Sequence, residues 1–517
     1  MEKMTFTQKV GQRLVVGFSG TKITGEFIKL VQEYKIGNVV LFKENVTDNI
    51  QLKQLCRDIQ AIVLHETGRP AFITMDQEGG SVSRLEADAA AVPGAMAIAA
   101  TGKKENAYEA GYLTGRELAA LGVNFNLAPD MDINTNPSNP VIGARSYGDK
   151  PEVVSEYGVE MINGLVDAHV LCAAKHFPGH GDTIADSHLG LPVVDKPFTE
   201  ITQCELKPFE AAIQAGVPAI MVAHILYPAL EKEKIPASMS RSIVTGLLKE
   251  QMGFSGLVLS DCLMMNAIAE NIGVVKGAVA AVKAGIDLVF ISHSLELAAK
   301  AAQALVKACE DGQINYAEMT ASVNKILHYK RRRLPLPIIN LQEVGCEEHR
   351  KVVARMMEEA ITEVNIPPEG RPELGSSPLF LGCPALRASN AANPEDYSFN
   401  FPMYMAKTLG GTFRITSADP TKAEIDAAVR AAQDRSCLII GTVNGHLRQG
   451  QMYLVRALYK TGIPTICVAL RNPYDLIYPS KGVYTLAAYD YNPLSLQAVA
   501  EVLAGRKTAP GILPVKM

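Results

Sequence analysis

The sequence predicts an α/β protein: an N-terminal (β/α)8 TIM-type barrel followed by a C-terminal open α/β sandwich domain. Three observations carry that expectation. Eight short apolar runs alternate with longer amphipathic segments over roughly the first 330 residues, which is the arithmetic of an eightfold barrel. The runs are almost continuously apolar, as strands buried on both faces should be. Chemically rich residues then follow several of them, at the ends that a barrel brings to one mouth.

The runs place strands at 14–18, 38–42, 71–75, 125–128, 171–175, 219–223, 256–260 and 287–292. Helical patterns at 153–168, 200–215 and 275–284 separate some of them. A doubly wound open sheet also fits the alternation, but there only groups near the strand-order switch would meet. The residues after the runs are Asp76-Gln-Glu-Gly-Gly, Asp130-Met-Asp, Lys175-His-Phe-Pro-Gly-His180, His224 and Asp261, so many separate strand ends carrying chemistry favour the barrel. A helix at 316–329 leads into Lys330-Arg-Arg-Arg-Leu-Pro-Leu-Pro, which reads as a solvated linker. Another helix follows at 347–362, and strands at 378–382, 412–416, 436–441, 464–470 and 483–488 suggest an open parallel sheet. The expected division is a barrel over 1–330, linker and helix over 331–362, and the sandwich over 363–517.

Composition narrows the function classes. Of 517 residues, 48% are apolar and 20% charged, an ordinary globular balance that excludes disorder as the main state. A net charge of -4 argues against nucleic acid or an anionic membrane as partner. The nine cysteines form no C-x-x-C pair, which fits neither a zinc finger nor a dense disulfide framework. The N-terminus lacks an apolar signal-peptide region, and the longest apolar stretch, 89–100, is broken by Pro93-Gly94 and is too short to span a bilayer. A cytoplasmic location is therefore expected. Tryptophan is absent altogether.

The densest chemistry lies in Lys175-His-Phe-Pro-Gly-His-Gly-Asp-Thr-Ile-Ala-Asp-Ser-His188, with three histidines, two aspartates and a lysine. A metal is one reading, since His and Asp bind zinc. The helical H-E-x-x-H spacing is missing, however, and Pro-Gly breaks the segment. A proton-transfer pair fits better: on an extended loop Asp186 and His188 can point the same way. Asp186 would then fix the tautomer of His188 and stabilise its imidazolium. Asp261, at the end of its strand, can act as a nucleophile toward a developing oxocarbenium ion, or more simply cap the next helix. Cys262 beside it reads as a small packing residue.

These motifs resemble the β-N-acetylglucosaminidase branch of glycoside hydrolase family 3. The loop Lys175-His-Phe-Pro-Gly-His-Gly-Asp-Thr with Asp186-Ser-His188 carries the resemblance. Asp76-Gln-Glu-Gly-Gly, Val141-Ile-Gly-Ala-Arg145-Ser and Ser260-Asp261-Cys-Leu-Met follow in the expected order over about residues 5–330. The resemblance implies that Asp261 is the nucleophile and His188, paired with Asp186, the acid/base. It implies that Asp76, Arg84, Arg145, Lys175 and His176 grip the hydroxyls of a terminal sugar, which needs donors and acceptors in fixed geometry. His180, Asp182, His224 and His293 are expected to line or brace the mouth. Cys262 departs from relatives that carry a second Asp there.

The implied function is a retaining exo-β-N-acetylglucosaminidase acting on muropeptides or chitooligosaccharides, with no metal and no cofactor. A phosphorylase would use the same residues. A metal-dependent hydrolase and a non-catalytic sugar-binding protein are the alternatives from other classes. Absence of Trp argues against a long stacking cleft and for a small pocket, hence exo action.

Overall fold

The computed structural model describes residues 4–183, 191–334, 336–385 and 396–517. Eight parallel strands pair in sequence order: β1 (Leu14–Val16), β2 (Asn38–Leu41), β3 (Phe72–Met75), β4 (Phe125–Asn126), β5 (Leu171–Phe177), β6 (Ala219–Val222), β7 (Leu257–Cys262) and β8 (Leu288–Ile291). β8 returns to β1, with Val15 opposite Phe290, and so closes the barrel. Period-two alternation sorts the apolar residues into two layers. Val40 of β2 joins Phe72, Phe125 and Leu259 in the inner cluster, whereas Val39 and Leu41 belong to the larger cluster between strands and helices.

All eight expected runs are strands, and their deviations from ideal geometry have local causes. β4 is only two residues long because Pro129, soon after it, has no N–H to extend the ladder. β5 and β7 each slip register against a neighbour, between Ala174 and Phe177 and between Leu259 and Cys262 respectively. The single helix expected at 200–215 is two, Phe198–Gln203 and Lys207–Gln214, the second opening with Pro208 in its first turn, where the missing N–H costs nothing.

The basic stretch from Lys330 is not simply a solvated linker. The helix Tyr316–Arg333 runs through it, and Lys330 is 1% exposed. Its ammonium donates to Gln12 Oε1 at 2.8 Å and to the Gly37 carbonyl at 2.9 Å, at the strand-start end of the barrel. Burial pulls its pKa well below the ordinary lysine value. Arg331 and Arg332 remain exposed.

The C-terminal sheet has six strands rather than five. They are β9 (Thr362–Asn365), β10 (Leu379–Gly382), β13 (Thr412–Ile415), β14 (Leu438–Thr442), β15 (Thr465–Ala469) and β16 (Tyr484–Ala487), in the order β13-β10-β14-β15-β16-β9. Five are parallel, as expected. β9 pairs antiparallel with β16 and makes the sheet mixed. A small antiparallel pair, β11 (Pro384–Ala385) and β12 (Asp396–Asn400), lies apart from this sheet.

The apolar stretch at 89–100 joins the two domains. It ends in the helix Ala95–Ala100, whose Met96, Ala97 and Ala100 are buried in the core of the C-terminal sheet domain. Among the described residues no helix is long and apolar enough to cross a membrane.

Lys330→Met keeps the aliphatic stem but strands two buried acceptors. It should cost about 2–4 kcal/mol of unfolding free energy, since each buried group left unsatisfied costs on the order of 1–3 kcal/mol. Arg331→Met should stay within about 0.5 kcal/mol, as at ordinary surface positions. Urea denaturation of the two variants checks this, and equal effects would contradict the assignment of Lys330.

Candidate active site

The strand ends meet around a cavity of about 520 Å³, within the usual range of roughly 300–1,000 Å³ for small-molecule sites. Asp76, Arg84, Arg145, Lys175, His176 and Asp261 all line it. Asp76 stands one residue beyond β3 and Arg84 further along the same loop. Arg145 ends the short 3-10 turn Gly143–Arg145 after β4. Lys175 and His176 lie within β5, and Asp261 lies within β7.

A charged network fixes one wall. Lys175 Nζ donates to Asp76 Oδ1 at 2.8 Å and reaches Glu78 Oε1 at 2.6 Å. Arg145 grips Glu78 with two parallel bonds of 2.8 Å, from Nε and from a terminal nitrogen. The same guanidinium lies 3.5 Å from Asp130 Oδ2, and Arg84 lies 3.9 Å from Asp76 Oδ2. Burial opposes charge on Glu78, but Arg145 and Lys175 overcome it and hold the carboxyl well below the usual carboxylate range. Lys175 is raised in turn by Asp76 and Glu78, against its own burial. Burial, and then neighbouring Asp132, push Asp130 well above the usual range.

Behind this wall, Asp132 organises the histidines. Its Oδ1 accepts the backbone N–H groups of His176 at 3.2 Å and His180 at 2.6 Å. Its Oδ2 faces His176 Nδ1 at 2.7 Å. Burial, aided by Arg145 and Lys175 against the pull of Asp130, brings His176 down to about 4. Burial, then His176, takes His180 to about 3. At neutral pH the His176 ring is therefore uncharged, donates Nδ1–H to Asp132, and keeps Nε2 as an acceptor. Asp130, Asp132 and His176 could each bring a ligand atom within 4.8 Å of the others. The facing atoms of Asp132 and His176 are already joined by their own hydrogen bond, which occupies two of those three ligand atoms, while among the described residues Asp130 Oδ2 has only the Arg145 guanidinium at 3.5 Å.

At the far side, one oxygen of Asp261 accepts the N–H of Cys262 at 2.6 Å. His224 braces the next carbonyl, with Nε2 3.1 Å from Cys262 O and Nδ1 2.7 Å from Ser238 Oγ. Burial raises the Cys262 thiol, consistent with a packing role. His293 lines the mouth and lies 4.5 Å from the Phe42 ring, centroid to centroid. Asp182 stands aside, 2.9 Å from Lys196. Asp186 and His188 lie outside the described residues. The sequence reading quoted Glu78 and Asp132 within strand-end motifs but gave neither a role. Each sits two residues from a carboxylate that was noticed, and that adjacency was the only signal.

Both buried histidines generate an acid sensitivity. Their folded pKa values lie below the ordinary 6.5, so the unfolded chain takes up protons first as pH falls. The stability from neutral rings is present above pH 6.5 and is lost as pH falls toward the folded values. Between pH 6.5 and 5 each ring should cost about 1.5 kcal/mol. Urea midpoints for wild type and His180→Gln at both pH values check this: the variant should lose less, and parallel losses would refute it.

The family comparison matches the glycosyl hydrolase family 3 N-terminal domain to residues 5–329. Beta-hexosaminidase A of Pseudoalteromonas piscicida is 31% identical over 99% of this chain and 97% of its own length. Beta-hexosaminidase of Thiobacillus denitrificans is 35% identical over 55% of this chain and 79% of its own. Among solved structures, a glycoside hydrolase family 3 beta-N-acetylglucosaminidase from Paenibacillus sp. str. FPU-7 superposes with a TM-score of 0.92 at 36% identity, covering 99% of each chain. With a shared barrel, a shared second domain and full-length similarity, the chain belongs to glycoside hydrolase family 3 and is a glycoside hydrolase.

Proposed function

We propose that the protein is a retaining exo-β-N-acetylglucosaminidase that removes terminal N-acetylglucosamine from muropeptides or chitooligosaccharides. The observation that carries this reading is the position of Asp261 in the same cavity as the Asp76, Arg84, Arg145, Lys175 and His176 wall. The wall offers paired donors and acceptors suited to the hydroxyls of one sugar ring, and a carboxylate in the same cavity, Asp261, supports the presence of a nucleophile for the anomeric carbon.

In the first step Asp261 forms a bond to the anomeric carbon as the bond to the leaving oxygen breaks, and His188 gives that oxygen its proton. In the second, His188 takes a proton from water, which attacks the same carbon and releases Asp261 as a carboxylate. Asp186 holds His188 in the needed tautomer. The hexosaminidases among the relatives support the choice of sugar. The absence of Trp supports a pocket for one terminal residue over a stacking cleft.

A chromogenic β-N-acetylglucosaminide assayed with and without phosphate tests the reading. Free sugar should form at equal rates in both, Asp261→Gly should fall to background, and absence of turnover by wild type would sink the proposal. Sugar 1-phosphate as product would show a phosphorylase instead. His188→Ala should lose about 10²-fold or more on a poor leaving group and much less on a good one. Equal losses on both would remove His188 from the acid role.

A further inference from the structure

The loop after β3 carries Glu78 and Arg84 and then leaves the barrel for the second domain. It turns at Gly79 (φ 101°) and Gly80 (φ 53°). Its two stems are pinned together where the Gly80 N–H donates to the Val92 carbonyl at 2.9 Å. Asp490 reaches this crossing from the C-terminal domain, three residues beyond β16, and is 4% exposed. Its Oδ2 accepts the N–H of Gly94 at 2.9 Å. Its Oδ1 packs on Gly80 so closely that a Cβ there would sit 2.5 Å from it.

The partner loop is fastened to the same domain. Asn134, after β4, donates to Tyr474 Oη at 2.8 Å, and His446 Nε2 approaches the Pro137 carbonyl at 3.0 Å. A Cβ on Gly143 would lie 2.6 Å from Asn472 Oδ1. Glu78 and Arg145, joined by two hydrogen bonds in the cavity, therefore come from two loops that are both held from outside the barrel.

We propose that Asp490 is a positioning residue for the sugar-gripping wall. Its carboxylate fixes the Gly80–Gly94 crossing, and through it the direction of Glu78 and the aim of Arg145 and Lys175. Among the described residues none from the C-terminal domain lines the cavity, and the domain serves the site by bracing its loops. The chemistry supports a specific brace over plain packing. Burial pushes the Asp490 carboxyl up to about 6, with Gly94 N–H and Arg471 acting the other way. An apolar side chain at this position would avoid that burial of a charge but would strand the buried Gly94 N–H.

The proposal concerns the cavity wall and rests on the reading that this wall holds the substrate sugar. Asp490→Ala and Asp490→Asn in the full chain test it. Asp490→Ala should lower kcat/KM for the chromogenic β-N-acetylglucosaminide by about tenfold or more, since misplacement by about 1 Å can cost on the order of 10²-fold. The loss should include a raised KM at unchanged melting temperature of the barrel. Asp490→Asn keeps an acceptor for Gly94 and should stay within about threefold of wild type. Amide exchange over 77–94 should quicken in Asp490→Ala while β1 to β8 stay protected. That measurement needs no turnover, so it judges the brace even if the proposed substrate is not cleaved. Unchanged exchange over 77–94, unchanged kcat/KM in Asp490→Ala, or exchange that quickens throughout the chain would overturn the proposal.

Discussion

Glu78 sits buried between the Arg145 guanidinium and the Lys175 ammonium, and the site is built around that contact. The three side chains come from the loop after β3, the turn after β4 and β5 itself. A buried charge without a partner costs several kcal/mol, so none of the three can be placed unless the other two arrive. Closing the barrel brings the strand ends together, and the network then fixes the directions of their side chains. Asp76 extends it by sharing Lys175, and Asp130 extends it by flanking Arg145. This wall of the cavity is thus organised by interactions internal to the protein, which is the preorganisation that electrostatic catalysis needs.

The two register slips explain how neighbouring residues can share this cavity. In a regular strand, adjacent side chains point to opposite faces. Lys175 and His176 are adjacent, as are Asp261 and Cys262, yet all four line the same space. β5 loses regular pairing between Ala174 and Phe177, and β7 between Leu259 and Cys262. Irregular pairing at those points re-aims side chains at the mouth, as bulges do at the rims of barrels. The regular halves of the same strands keep the alternation that packs the interior.

Much of the fold was legible because burial on both faces leaves a simple signature. Eight apolar runs in strict alternation leave few other arrangements. β9 was not legible, because Thr-Glu-Val-Asn at a sheet edge has only one apolar residue in four and carries no such run. Lys330 was legible in principle: it continues the buried helical series Met319, Ser322, Val323, Ile326 and Leu327, a periodicity masked by the basic composition of the residues after it. In the site, Asp76, Arg145, Lys175 and His176 announced themselves by position after strands. Glu78 and Asp132 stood in the same motifs without a role, because sequence shows which carboxylates lie near a strand end but not which one the cations choose. The apolar run at 89–100 was visible as a run, yet its partner, the second core, lies more than two hundred residues away in the chain.

The electrostatic state of the pocket bears on what it can hold. His176 and His180 are neutral at pH 7, so the positive charge around the cavity belongs to Lys43, Arg84, Arg145 and Lys175. Each lies beside a carboxylate: Lys43 beside Glu86, Arg84 and Lys175 beside Asp76, Arg145 and Lys175 around Glu78. Cations matched in this way attract a free anion weakly, while their remaining N–H groups and the carboxylate oxygens still point into the cavity in fixed directions. Such a surface discriminates by the geometry of hydroxyls rather than by net charge. With no Trp in the chain, apolar contact falls to Phe42, Phe290, Met221 and Met264 around the same space. Directed polar groups and small apolar patches around one cavity are consistent with the proposed single neutral sugar ring, which presents hydroxyls on its rim and C–H groups on its faces.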